Sequence, residues 1–264
     1  CVDHSFSPSL QSFICYIRLP FIISALDFIT AFNNVDTVVS NQSLTFGLTW
    51  VPTRTFGNDL RFNWSTTDSS SGEETRLNQV NLFSYLQRSP NDPTDSESSL
   101  VFELPGGIFS TNQGTAFSTN HQFNFVDTFS WTKGSHSLRF GGNLRRLNTT
   151  VSPYTYLAST WFATLDEVQT GVADSLSITS QIRSRPTFYD YGLFVNDDWK
   201  ISSRLRVQLG LRWDVNPVPG QANGLSPTAY SGYPNFTSVS ALPAGTPLYK
   251  TKYANFAPRA GVAY

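Results

Sequence analysis

TFYDYGLFVNDDWKISSRLRVQLGLRWDV, residues 187–215, reads as two alternating strands of about a dozen residues joined by a very short turn. In the second arm Leu205, Val207, Leu209, Leu211, Trp213 and Val215 share one face. Arg204, Arg206, Gln208, Gly210, Arg212 and Asp214 share the other. A period of two with such contrast describes a strand between two different solvents. In the first arm Tyr189, Tyr191, Leu193, Val195 and Trp199 share a parity, with Asp197 as the exception. Aromatics thus bracket an aliphatic band, as in strands that cross a bilayer, where amphipathic rings suit the interfaces. A hairpin of a soluble sandwich is the competing reading, although its strands usually run to about 5–6 residues.

Composition supports a strand-rich chain. Of 264 residues 39% are hydrophobic and 14% aromatic, with 21 Phe and 11 Tyr. Only 14% are charged, against about 25% in average domains, and the formal net charge is −1. Ser, Thr and Asn replace the missing charge, which suits polar loops better than a helical enzyme. Near-neutrality gives no reason to expect nucleic acid as a partner.

The chain has no Met, opens at Cys1 and stops at Tyr264 inside an alternating run. The expectation is a fragment, so a missing signal peptide says nothing about location. Cys1 and Cys15 could pair, but two cysteines make neither a disulfide framework nor a metal knuckle. An acylated amino-terminal Cys is the less favoured alternative to an arbitrary start. Residues 13–32, FICYIRLPFIISALDFITAF, approach membrane-helix length, but Arg18, Pro20 and Asp27 interrupt them. A strand pair, or a poorly specified edge, reads better. Residues 1–39 stay unassigned, and 40–264 are assigned to a partial barrel domain.

Past residue 40 a rhythm sets in. Leu44, Phe46, Leu48 and Trp50 alternate with polar or small partners, and after Pro52–Asn58 so do Leu60, Phe62 and Trp64. His121–Trp131 places Phe123, Phe125, Phe129 and Trp131 on one parity, and Thr132–Gly134 turns the chain into His136–Arg145. Between the hairpins lie polar stretches read as irregular, roughly 66–114, 148–186 and 216–255. Structureless loops beyond about 12–15 residues are uncommon in compact soluble domains. Transmembrane barrels alternate short periplasmic turns with long extracellular loops. The fold class expected is therefore all-β: an incomplete antiparallel transmembrane β-barrel segment. Pro52–Asn58, Thr132–Gly134 and Ile201–Arg204 then face the periplasm. Arg139, Arg145, Arg204, Arg206, Arg212 and Asp214 point into the lumen, because charge on the lipid face is costly.

WTKGSHSLRFGGNLRR (131–146), YGLFVNDDWKISSRLRVQLGLRWD (191–214) and NFAPRAGVAY (255–264) resemble barrel strands of TonB-dependent outer-membrane receptors. The nearest group is the Oar-like receptors, which carry an amino-terminal carboxypeptidase-regulatory-like domain. The resemblance covers 120–264 well and 40–119 more loosely; it does not reach 1–39. It implies a closed barrel of about 22 strands around a plug, uptake or export at the Gram-negative outer membrane, and energy drawn from TonB. The partners implied are outer-membrane lipid, a transported ligand of unknown identity, and the TonB complex through regions this chain does not contain. No TonB box, plug or terminal aromatic strand is recognisable here.

No enzymatic constellation emerges, and neither cofactor nor metal is expected. His4, His121 and His136 lack ligand spacing, and no nucleophile elbow or phosphate-cradling glycine loop is present. His136, one strand residue past a turn, reads as an interfacial polar group. Asp197 and Asp198 cannot chelate together, since neighbouring strand residues point to opposite faces; Asp198 is expected to pair with a lumen Arg. Gly106, Gly107, Gly141, Gly142, Gly192 and Gly210 read as bends or close approaches. Asn-x-Ser/Thr triplets at Asn41, Asn63, Asn148 and Asn235 matter only in a eukaryotic secreted protein. The loop aromatics Tyr154, Tyr156, Trp161, Tyr230, Tyr233 and Tyr249 are the candidate ligand contacts, with packing on each other as the alternative. A soluble or surface-anchored adhesive module is the competing function. A barrel enzyme would need a catalytic dyad not found.

Overall fold

Long alternation produces long strands. The computed structural model describes residues 1–26, 33–75, 98–113, 115–154, 156–181, 183–221, 229–232, 237–243 and 245–264. In chain order the elements are β1 (Val2–Ser7), β2 (Leu10–Leu26), β3 (Asn33–Thr53), β4 (Phe56–Thr75), β5 (Ser98–Leu104), β6 (Gly107–Gln113), β7 (Thr115–Lys133) and β8 (His136–Ser152). There follow β9 (Tyr156–Trp161), helix α1 (Leu165–Thr170), β10 (Ser175–Ser180), β11 (Pro186–Lys200), β12 (Arg206–Val215), β13 (Gly220–Gln221) and β14 (Phe256–Ala263).

One antiparallel sheet runs β1-β2-β3-β4-β7-β8-β11-β12-β14, with β13 on the outer end of β11. Its edges are β1 and β14, so among the described residues the sheet is open. The expected hairpin is present, with Tyr191 opposite Val215 and Lys200 opposite Arg206. Residues 1–26, left unassigned by the sequence, continue the same sheet as β1 and β2, joined by a Cys1–Cys15 disulfide.

The tight turns described between strands of this sheet gather at one end. Ser9 O accepts from Val51 N at 2.7 Å, Thr55 O from Thr132 N at 2.7 Å, and Ser135 O from Lys200 N at 2.8 Å. Each turn is thereby tied to the next hairpin. Gly134 supplies the left-handed residue, at φ 60°, that its two-residue turn requires.

At the other end the strands run on. β4 continues to Thr75 and β7 starts at Thr115, so part of the segment 66–114 is regular strand. Alternation disappears there because both faces carry Ser and Thr, yet the backbone ladder persists from Thr66 opposite His121 to Gly72 opposite Thr115. Two connections also carry structure of their own. They build a four-stranded sheet β10-β9-β5-β6, in which β5 and β9 run parallel. Helix α1 sits between β9 and β10, with a capping box from Thr164 and Glu167 and a left-handed Gly171 after its end.

Very little of the chain is core. Leu100, Ala158, Val215 and Ala229 are the buried apolar residues among those described. Leu193 is 56% exposed and Leu209 50%, in mid-strand positions where a soluble sheet would bury them. The main sheet is one layer thick, and among the described residues most of its apolar face, Val215 excepted, has no protein cover.

Candidate functional site: the barrel wall and its outer loops

The register sorts side chains onto two faces. Phe46, Phe62, Phe125, Leu144, Tyr191 and Val215 form one row of the apolar face, and Asn58, Phe129, Phe140, Val195, Leu211 and Pro258 another. Trp50, Phe56, Trp131 and Trp199 mark the turn-side border. Tyr16, Trp64, Phe123 and Tyr189 mark the far border, beyond which Gln42, Thr66, His121 and Asn148 are polar. From Trp131 to Phe123 the strand climbs about 27 Å at ~3.4 Å per residue, which suits a tilted strand crossing a hydrocarbon band.

The opposite face is the lumen wall, and it is knitted by charge. Arg145 Nε lies 2.6 Å from Asp190 Oδ2 on the strand directly opposite. Asp198 Oδ1 meets Arg206 Nε at 3.2 Å, the pairing expected from the sequence. Arg212 holds Asp214 at 2.8 Å and also donates to Asn143 Oδ1 at 3.3 Å. Gly192 sits in the middle of this group. A Cβ there would meet Asp214 Oδ1 at 2.8 Å and Arg212 Nη2 at 3.0 Å. Likewise Gly141 admits the backbone of Asp127 and Thr128, so it marks the close approach foreseen for it. Farther round, Arg61 grips Asp59 at 2.6 Å, Thr49 donates to Asp59 at 2.9 Å, and the Arg61 guanidinium lies 4.8 Å over the Phe13 ring. Arg139, Asn196, Arg212 and Arg259 line one recess of about 400 Å³. Arg204, expected in the lumen, instead lies in the turn 201–205, where its N–H donates to Ser202 Oγ at 3.3 Å. A turn residue has no strand face, and this is the one lumen charge the alternation misplaces.

Among the described residues, two acidic groups lie within the apolar band. Asp197, the exception in its strand's parity, is engaged by His136, whose Nδ1 stands 2.6 Å from Asp197 Oδ2; the His136 ring stacks on Trp199 at 5.1 Å. Asp127 is absent from the sequence-based expectations. It stands midway between Phe123 and Trp131, accepting from Asn58 Nδ2 at 2.5 Å. Its signal is the gap in the run Phe123, Phe125, Phe129, Trp131. Beside it Gly142 leaves an apolar notch of about 760 Å³ between Phe125, Phe140, Leu144, Leu193 and Trp213.

The candidate loop aromatics fall into two groups. Tyr154 donates to Ser71 O at 3.3 Å, bracing the outer end of β4. Tyr156 opens β9 opposite Ser180, and Trp161 closes that strand, 45% exposed. Tyr230 and Tyr249 belong to the connection 216–255. Tyr230 is bridged to Ala241 through the backbone, and Tyr249 donates to Pro217 O at 2.8 Å. Tyr233 lies outside the described residues.

The sequence model of a family described as the outer membrane beta barrel domain matches residues 2–264. No curated protein matches. Solved structures with similar architecture include the outer membrane transporter YddB from Escherichia coli, 10% identical over 84% of this chain and 26% of that one, with a TM-score of 0.48. The copper transporter OprC is 11% identical over 96% of this chain and 34% of that one, at 0.44. The ferric-catecholate import receptor Fiu from E. coli K12 is 11% identical over 98% and 42%, also at 0.44. The chain therefore spans less than half the length of each.

Proposed function

The chain belongs to the outer membrane beta barrel domain family, and from that premise we propose that it is wall and outer loops of a TonB-dependent receptor. That family resides in the outer membrane of Gram-negative cells, so the soluble-module alternative falls away. In the proposal, ligand enters through the outer connections and passes along the charged lumen face, with energy supplied through TonB. The chain performs no reaction of its own. Ligand contact is assigned to the outer loops, with Trp161 and Tyr230, whose rings are exposed, as first candidates.

One observation carries the reading. A single sheet has an apolar outer face and an ion-paired inner face, with every described tight turn between its own strands at one end and a loop-built sheet at the other. That polarity suits vectorial passage through a wall, with a receiving platform outside. The resemblance of 131–146, 191–214 and 255–264 to TonB-dependent receptor strands supports the energy source.

The test works with an unidentified ligand. Cells with and without the gene, each with TonB intact or inactivated, are grown in one complex medium, and its solutes are compared by mass spectrometry. Solutes depleted only when gene and TonB are both present identify the cargo. If no solute depends on both, the transport reading is rejected and an adhesive barrel takes its place.

A further inference from the structure

A cluster on the outer wall, at the turn-side border of the apolar band, is used by neither the lumen nor the loops. Lys133 closes β7 directly opposite His136, which opens β8, and His136 lies directly opposite Trp199 of β11. Opposed residues of antiparallel strands share a face, with Cβ atoms about 4.5–5.5 Å apart. The Lys133 ammonium lies 5.5 Å from the centre of the Trp131 ring, and the His136 ring is stacked on Trp199 with 14° between planes. With its proton on Nδ1, His136 donates to Asp197 Oδ2 at 2.6 Å and keeps the Nε2 lone pair free. Asp197 Oδ1 is buried and, among the described atoms, has no hydrogen-bond partner. Burial of that oxygen leaves His136 Nε2 as the pair's acceptor for a group outside the wall.

The face thus sets one cation beside an acceptor backed by a carboxylate, at the depth where tryptophans mark the headgroup layer. A simple anion would meet Asp197, and a simple cation would meet Lys133. A zwitterion satisfies both. We propose that Lys133, His136 and Asp197 hold the headgroup of a phospholipid of the periplasmic leaflet that carries a primary ammonium. The phosphate rests on Lys133. The ammonium donates to His136 Nε2, on the ring whose Nδ1 engages the Asp197 carboxylate, and the acyl chains rise over Leu138 and Leu209, the residues opposite Asp197 on its two neighbouring strands. A quaternary ammonium has no N–H to give, so choline lipids lose the second half of the site.

Native mass spectrometry of the detergent-purified protein tests this, with dihexanoyl phosphatidylethanolamine and dihexanoyl phosphatidylcholine as separate probes. The ethanolamine lipid is expected to be retained about fivefold better, the return on one partly screened ion pair. Asp197→Asn should abolish that preference while leaving phosphatidylcholine retention unchanged. Lys133→Gln, an exposed change beside a turn, should lower retention of both, and heat-modifiable gel mobility verifies folding of each variant. Equal retention of the two lipids by the native protein overturns the proposal. So does a preference that survives Asp197→Asn, or retention indifferent to Lys133→Gln.

Discussion

Asp127 offers the sharpest test of which solvent the apolar face meets. It stands midway up the band, with Asn58 Nδ2 at 2.5 Å; the same nitrogen also reaches Thr128 O at 3.3 Å. In lipid, Asp127→Leu removes a poorly solvated carboxyl group worth about 1–2 kcal/mol against the fold at mid-depth. It also removes a hydrogen bond worth about 1 kcal/mol, part of which Asn58 recovers from Thr128 O. The net expectation is stabilisation by up to about 1 kcal/mol, the added leucine filling part of the notch over Gly142. Asn58→Leu does the opposite: it strands the carboxyl group in hydrocarbon and costs about 1–3 kcal/mol. The two single variants should therefore shift stability in opposite directions, and the double variant should recover most of the Asn58→Leu loss. Urea unfolding from phospholipid vesicles, followed by tryptophan emission, measures all three against the native protein. If Asp127 faced water, both changes would lie within about 0.5 kcal/mol of zero, as surface substitutions do. Two shifts of the same sign, or none, would refute the lipid assignment of this face.

Other positions have equally definite expectations. Gly192→Val should drive its methyls into Asn143, Arg212 and Asp214 and cost about 1–3 kcal/mol, whereas Gly106→Ala, with open space around it, should unfold in urea like the native protein. Leu100→Ala removes a side chain only 5% exposed at the centre of the outer sheet. By opening a cavity worth about 2–5 kcal/mol it should speed protease cleavage of 98–113 on intact cells without altering barrel mobility on gels. Cys15→Ser frees β1 at the sheet edge, the lost crosslink being worth about 3 kcal/mol for a loop of this length; amide exchange should rise in β1 and stay unchanged in β7 and β8. Asp190→Asn weakens a half-exposed pair with Arg145 and should change stability by less than about 1 kcal/mol.

The parts of the fold legible in the sequence are those where the two faces meet different solvents. Between Leu205 and Val215 each residue declares its side, and the register follows. Beyond Thr66 both faces of β4 are wet, Ser and Thr occupy both parities, and the strand runs on to Thr75 without a pattern to betray it. β2 fails for the converse reason. Ile17, Leu19 and Ile23 lie on one of its faces and Ile14, Tyr16 and Ile22 on the other, all exposed. With apolar residues on both parities, alternation cannot separate strand from helix. The pairing of β5 with β9 joins residues some 60 positions apart through the backbone alone. Asp127 is legible but disguised, since one acid in a run of phenylalanines breaks the pattern it belongs to.

The same physics links wall and loops. A sheet one residue thick with Leu193 and Leu209 half open has no aqueous ground for stability, because burial of apolar area is the main favourable contribution and here the protein supplies almost none of it. Lipid must cover one face, and whatever fills or crosses the lumen must meet Arg145, Arg206, Arg212 and their carboxylates on the other. Where lipid ends, the strands do not. β4, β7 and β8 carry their ladders past the Gln42–Thr66–His121–Asn148 border. On that extension Tyr154 holds Ser71, Arg185 Nε donates to Thr150 Oγ1 at 3.2 Å, and Val151 bridges Ser184 through paired backbone hydrogen bonds of 3.0 and 2.9 Å. The wall's own backbone ladders thus continue toward the connections that carry the outer sheet.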